Sequence, residues 1–125
     1  MHEGRRREYL DRLFERALAI TDATVWIVVN DESALYALDF LRQKGVAVPR
    51  DMSVVSFDDL PGALEKGLTS YNFNYHAIGQ AMLRFITDPR LFPRRKPLIE
   101  IEGEIIPRRT VAKTAVRCRR RPSCA

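Results

Sequence analysis

The sequence predicts an α/β fold, a mostly parallel sheet with flanking helices in three layers. Three observations predict it. Residues 25–29 and 52–57 are short apolar runs rich in β-branched side chains, the pattern of strands buried on both faces. Between them lies an amphipathic helix pattern that ends at Gly45. Strand, helix and strand at that spacing fit a right-handed crossover between parallel neighbours.

Taken in order, residues 3–20 read as an amphipathic helix. Tyr9, Leu10, Leu13, Phe14, Ala17, Leu18 and Ile20 share one broad face, and Gly4 lies ahead of the regular part. Thr21 and Asp22 lead into the first strand at Thr24, which reads as central in its sheet. A central strand has neighbours on both sides, so further chain upstream is expected. Asn30 and Asp31 break the strand, and Asp31 offers a side-chain acceptor as helix N-cap. Ala34, Leu35, Leu38 and Leu41 then recur at helical spacing, widened by Tyr36, Ala37 and Phe40. Gly45 stops that helix and Pro49 prevents its continuation.

The second strand ends at Asp58 and Asp59. Residues 60–67, with Pro61, Gly62 and Gly67, read as a loop with room for one helical turn. Residues 68–73 form a third strand. Asn74 caps a helix over 75–87 whose apolar face is Ala77, Ile78, Ala81, Met82, Phe85 and Ile86, and Asp88-Pro89 stops it. Residues 90–97, basic and flanked by prolines, are a surface loop. Residues 98–106 alternate, as in a strand with one wet face near a sheet edge. Residues 107–111 close the ordered part, and disorder is expected beyond Ala112.

Composition narrows the function. With 125 residues, 46% hydrophobic and 30% charged, the chain is one soluble domain rather than a disordered or membrane-spanning segment. No apolar run approaches the ~20 residues of a membrane span, and no signal peptide opens the sequence. The net charge of +5 is concentrated at the ends, in Arg5–Arg7 and in the basic residues after Arg94. Such a tail attracts phosphates, but without interleaved aromatic rings it offers no stacking platform and reads as a solvated terminus.

Cys118 and Cys124 lack the partners of a zinc site and read as a reduced pair. His2 and His76 have no spaced metal partner, so neither a metal nor a cofactor is expected. There is no glycine-rich phosphate loop and no GxSxG elbow. Asp58 and Asp59 are adjacent on a strand end and point to opposite sides, so they do not act on one bond. The chain is therefore not expected to be an enzyme.

A binding site is easier to place. In open α/β sheets, ligands lie beyond the carboxyl ends of the strands. If the first two strands are adjacent, Asn30 and Asp58 share one rim, and an amide beside a carboxylate offers donor and acceptor to hydroxyl groups. Asp31 and Asp59 have simpler readings, a helix cap and the start of a turn.

The stretch VVNDESALYALDFLRQKGVAVPRDMSVVSFDDLP resembles the C-terminal part of the effector-binding domain of the LacI/GalR family of bacterial transcription regulators. LTSYNFNYHAIGQAM resembles the segment and helix that follow in that family, and IEGEIIPRRTVA its closing strand. The resemblance covers residues 21–112. It implies a hinged, two-lobed sensor of the fold that periplasmic sugar-binding proteins share, with lobe closure controlling a separate helix-turn-helix. Carried over by position, Asn30 and Asp58 match the family's cleft asparagine and aspartate. Phe73 stands where many members have a ligand-touching Gln; a ring there stacks on a sugar's apolar face or, alternatively, packs in the core. Ser56 and Tyr36 replace common glycines.

On this resemblance residues 3–112 are a partial periplasmic-binding-protein-like (type I) effector-binding domain, and residues 113–125 are a disordered basic tail. The implied partners are a small-molecule effector, a carbohydrate; DNA only through a helix-turn-helix missing from this chain; and a second copy, in a homodimer formed by the helix at 32–44 and the loop after Asp59. In that family the helix at 75–87 packs on the first lobe. No membrane contact and no cofactor are implied, and the location is cytoplasmic. With the cleft half-built, weak or no ligand binding is expected of the chain alone. A transport-type sugar-binding protein of the same fold is the alternative; a small α/β enzyme is a remote one.

Overall fold

The computed structural model describes residues 3–88, 90 and 99–113. Its elements are α1 (Glu3–Leu18), β1 (Val25–Ile27), α2 (Asp31–Gln43), β2 (Ser53–Phe57), α3 (Pro61–Lys66), β3 (Thr69–Asn72), α4 (Tyr75–Thr87) and β4 (Glu104–Ile106). The strands form one sheet in the order β1-β2-β3-β4. β1, β2 and β3 run parallel, with Val25 opposite Ser53 and Val55 opposite Thr69. β4 returns antiparallel to β3, with Ser70 opposite Ile106. The α/β class and the mostly parallel sheet stand as the sequence predicts, with α2 as the crossover between β1 and β2.

The core is built where α1 and α2 meet the sheet. Phe14, Trp26 and Phe40 lie with ring centroids 5.5–6.4 Å apart. Ala34, Ala37 and Leu41 of α2 and Val54 of β2 are fully buried beside them, joined by Leu68 and by Ala63 of α3. Small residues on α2 let the helix approach the sheet closely, and each large apolar side chain so buried contributes about 1.5–3 kcal/mol. Gly45 ends α2 at φ 74, a left-handed conformation that glycine adopts without strain.

Several local expectations are corrected. Gly4 lies inside α1, because a glycine is tolerated in a helix otherwise made of strong helix formers. The apolar face of α1 divides: Phe14 is buried and Leu10, Ala17 and Leu18 pack partly, but Tyr9, Leu13 and Ile20 are exposed. β1 is shorter than its apolar run and is buried on one face only. Trp26 and Val28 point inward, while Val25, Ile27 and Val29 are exposed and line an open groove of about 410 Å³ with residues of α1. β1 ends the sheet among the described residues, so its outer edge is unpaired there.

Residues 60–67 are not a loop but mostly helix α3, with Pro61 at its first turn and Gly67 left-handed at its end. That Pro-first, Gly-last order is a helix signature. The third strand is trimmed at both ends to Thr69–Asn72. Of the alternating run 98–106, only Glu104–Ile106 pairs as strand, because β3, its partner, ends at Asn72. Asn74 caps α4 as expected, its side chain accepting from the Ala77 N–H at 3.3 Å. No residue of α4 is buried, and its apolar side chains line an open groove with Ile99 and Ile101. Residues 91–97 of the expected basic loop, both cysteines and residues 114–125 of the expected disordered tail lie outside the described residues.

Candidate functional site

The three parallel strands deliver their carboxyl ends to one rim. Ile27 lies opposite Val55, and the Val28 N–H continues the pairing to the Val55 carbonyl at 2.8 Å. Asn30, still extended at φ −159, and Asp58 each lie three residues past that pair, just beyond the carboxyl ends of β1 and β2. β3 reaches the same rim through the Asp58 N–H, which donates to the Tyr71 carbonyl at 2.9 Å.

The side chain of Asn30 has a second task. It, not Asp31, is the N-cap of α2, and its Oδ1 accepts the Ser33 N–H at 2.9 Å. The expected Asp31 cap is therefore corrected by one residue. Both types are good caps, and the backbone turns helical one position earlier than the sequence suggests. The cap occupies the Asn30 carbonyl and leaves its amide group to donate.

Asp31 is instead fully buried at the first position of α2. Its carboxylate accepts from the Ser56 hydroxyl, from the Ser70 hydroxyl at 2.7 Å and from the Leu60 N–H at 2.7 Å. The helix N-terminus adds a favourable field for its charge. Ser70 also accepts the Asp59 N–H at 3.0 Å.

Asp58 and Asp59 both have positive φ, 104 and 53, a region that residues with a Cβ rarely adopt. They reach different partners. Asp58 Oδ1 accepts the Tyr75 hydroxyl at 3.2 Å. Asp59 accepts from Asn72 Nδ2 at 2.9 Å and from the Arg108 guanidinium at 2.5 Å. Partial burial, then the hydrogen bond to Asp58 and its negative charge, push the Tyr75 phenol above its ordinary range, so at neutral pH it remains a donor.

Phe73 is half-buried between other rings. It stacks on Phe57 at 6.0 Å, meets Tyr71 edge-on at 5.0 Å and lies 5.6 Å from Tyr75. These rings form an apolar wall that ends at Asp58 through the Tyr75 hydroxyl. Of the three sequence-predicted residues, Asp58 and Phe73 are thus linked through Tyr75, and Asn30 stands apart from them as the N-cap that follows β1.

The sequence reading missed Tyr75, Asp31, Ser56, Ser70 and Arg108. Tyr75 carried a usable signal, an aromatic residue two places after Phe73 at a helix start. The others act over long sequence separations that no local pattern reveals. Among the described residues no group of three His, Cys, Asp or Glu side chains is placed to hold a metal.

Comparison with known proteins assigns the family. The family of periplasmic binding protein-like domains matches residues 2–111. The HTH-type transcriptional repressor PurR of Mannheimia succiniciproducens is 30% identical over 105 residues, 80% of this chain and 31% of the relative. The arabinose metabolism transcriptional repressor of Geobacillus stearothermophilus is 42% identical over 53 residues, covering 42% of this chain and 13% of the relative. The crystal structure of the transcription regulator CcpA of Lactococcus lactis superposes with a TM-score of 0.71 at 28% identity, covering 85% of this chain and 40% of that one. The chain spans less than half the length of each of these relatives. Its matched span, its strand order and its relatives agree: the chain belongs to the periplasmic binding protein-like domain family, as part of an effector-binding domain of the LacI/GalR type.

Proposed function

We propose that this chain is the effector-sensing and dimerising portion of a LacI/GalR-type transcription regulator, and that its effector is a carbohydrate. The observation that carries this reading is the rim. Asn30 and Asp58 follow the carboxyl ends of the paired strands β1 and β2, and Asp58 accepts from Tyr75, whose ring lies beside Phe73. Sugars present hydroxyls along their edge and C–H groups on their faces, so a charged acceptor beside aromatic rings suits both. That a relative regulates arabinose metabolism supports the class. In this reading Asn30 and Asp58 bind hydroxyls, and Phe73 packs on an apolar face of the ligand.

DNA is bound by a helix-turn-helix outside this chain, in the cytoplasm, and closure of a second lobe over the rim sets the affinity. With one lobe, this chain alone binds the effector weakly or not at all. Dimerisation is supported by α3 and its N-cap, where Leu64 and Leu60 are exposed and Gly62 lies against Leu35 of α2, an arrangement that a second copy would cover. The test is a thermal-shift screen of monosaccharides and disaccharides against the complete gene product, followed by calorimetry. The expected result is stabilisation by one sugar class, lost on Asp58→Ala; stabilisation by no sugar would overturn the carbohydrate assignment.

A further inference from the structure

We propose that Asp31 is a positioning residue for the rim: its buried carboxylate fixes the left-handed turn at Asp58–Asp59 and so aims the Asp58 side chain. The inference rests on the reading of Asp58 as the ligand acceptor, yet its argument needs no ligand. Three segments converge on one carboxylate. Ser56 comes from β2, Ser70 from β3 and Leu60 from the turn itself. Through Ser70, the Asp59 N–H is also held. Two consecutive amides of the turn, those of Asp59 and Leu60, therefore depend on Asp31, one directly and one through a hydroxyl. Two left-handed residues with side chains are unfavourable, and they persist only where surrounding bonds over-determine them.

The direction of each bond shows why the residue must be an acid. Asp31 accepts three hydrogen bonds and donates none. An asparagine offers one acceptor oxygen and one donor group. With its oxygen toward the serines, its NH2 faces the Leu60 N–H, donor against donor. Flipped, it satisfies Leu60 but takes away the acceptor of both serine hydroxyls, and Ser70 already accepts from Asp59. Neither orientation satisfies the set. Ser56 is part of the same logic, since its hydroxyl donates to the same carboxylate oxygen as that of Ser70.

The experiment compares Asp31→Asn and Ser70→Ala with Phe14→Leu, a core variant outside the hydrogen bonds of Asp31 that lowers stability by packing. Two readouts are used on the ligand-free chain: amide hydrogen exchange at Asp59 and Leu60, and titration of the Tyr75 phenol by NMR. Tyr75 reports on Asp58 because its hydroxyl donates to that carboxylate. In Asp31→Asn, both amides should exchange about tenfold faster, or more, than in Phe14→Leu, and the phenol titration should move down toward its ordinary value of 10.0. In Ser70→Ala, the Asp59 amide should be freed while Leu60 remains protected.

If both rim variants match Phe14→Leu in exchange and in phenol titration, Asp31 is a structural residue only and the proposal is overturned. Should Asp31→Asn fail to fold, Ser70→Ala decides alone: faster Asp59 exchange with a shifted phenol supports the proposal, and neither change overturns it. Because no sugar is added, failure here is distinct from failure of the carbohydrate reading.

Discussion

Asp59 and Arg108 form an ion pair 2.5 Å long, their side chains only 15% and 13% exposed, which ties the turn after β2 to the segment after β4. Arg108 also donates to the Leu68 carbonyl at 2.7 Å, and its backbone N–H donates to Thr69 Oγ1. One side chain therefore closes the sheet around the rim from the C-terminal end. Removing it strands a buried carboxylate, the costly half of a broken pair.

Arg108→Met is expected to destabilise the chain by about 3 kcal/mol, measured by urea denaturation. Arg108→Lys should recover only part of that loss, because an ammonium lacks the planar fork that reaches Asp59 and Leu68 together. Equal stability of the wild type and Arg108→Met would show that Asn72 alone satisfies Asp59.

At the rim, Asp58→Asn in the complete regulator is expected to weaken effector binding about 10–100-fold by calorimetry, the worth of a charge-assisted hydrogen bond. Its unliganded melting temperature should change little, because among the described residues the Asp58 side chain is tied to the exposed Tyr75. An unchanged affinity would remove Asp58 from the ligand contacts.

The exposed leucines of α3 give a prediction about assembly. Leu64→Glu should convert a dimer into a monomer in sedimentation velocity at micromolar concentration, with the fold intact by circular dichroism. Leu64 is 67% exposed, so burying a charge in the dimer costs far more than carrying it on the free surface. A wild-type chain that sediments as a monomer throughout would count against the dimer.

Asp51 supplies a pH dependence. Its carboxyl is held down at about 2, below the ordinary 3.8, first by the hydrogen bond from Arg50 and then by that from the Ala47 N–H. A depressed folded-state value stabilises the fold above the unfolded value, and the gain is lost as pH falls through the folded one. The stability difference between wild type and Asp51→Ala should therefore be constant above about pH 4 and shrink steadily toward pH 2. A difference that does not change over that window would show that the carboxylate contributes nothing through its charge.

How much of this was legible beforehand depends on the range of the interaction. The β1-α2-β2 unit, the stop at Gly45 and the cap at Asn74 are written in local periodicity and in single residues with strong backbone preferences. That Asn30 and Asp58 follow the carboxyl ends of two paired strands was legible in the same pattern. The cap shifted to Asn30 because adjacent short polar residues compete for one position, and a one-residue difference lies below what sequence resolves. The bare face of β1 was illegible because an apolar run records a preference for burial, not the neighbour that supplies it. Asp31 with Ser70, and Asp59 with Arg108, lie 39 and 49 residues apart, so only the folded sheet reveals them.

The exposed side chains of Val25, Ile27 and Val29 on the outermost strand have a practical corollary. A bare, apolar strand edge is a template for strand-by-strand polymerisation, the hazard that most sheets blunt with lysine, proline or a bulge. β1 carries none of these safeguards. Mutual repulsion among chains of net charge +5 opposes such growth, and that repulsion fades as added salt screens it. Colloidal behaviour at high ionic strength is thus expected to follow three residues that are distinct from Asn30, Asp58 and Phe73.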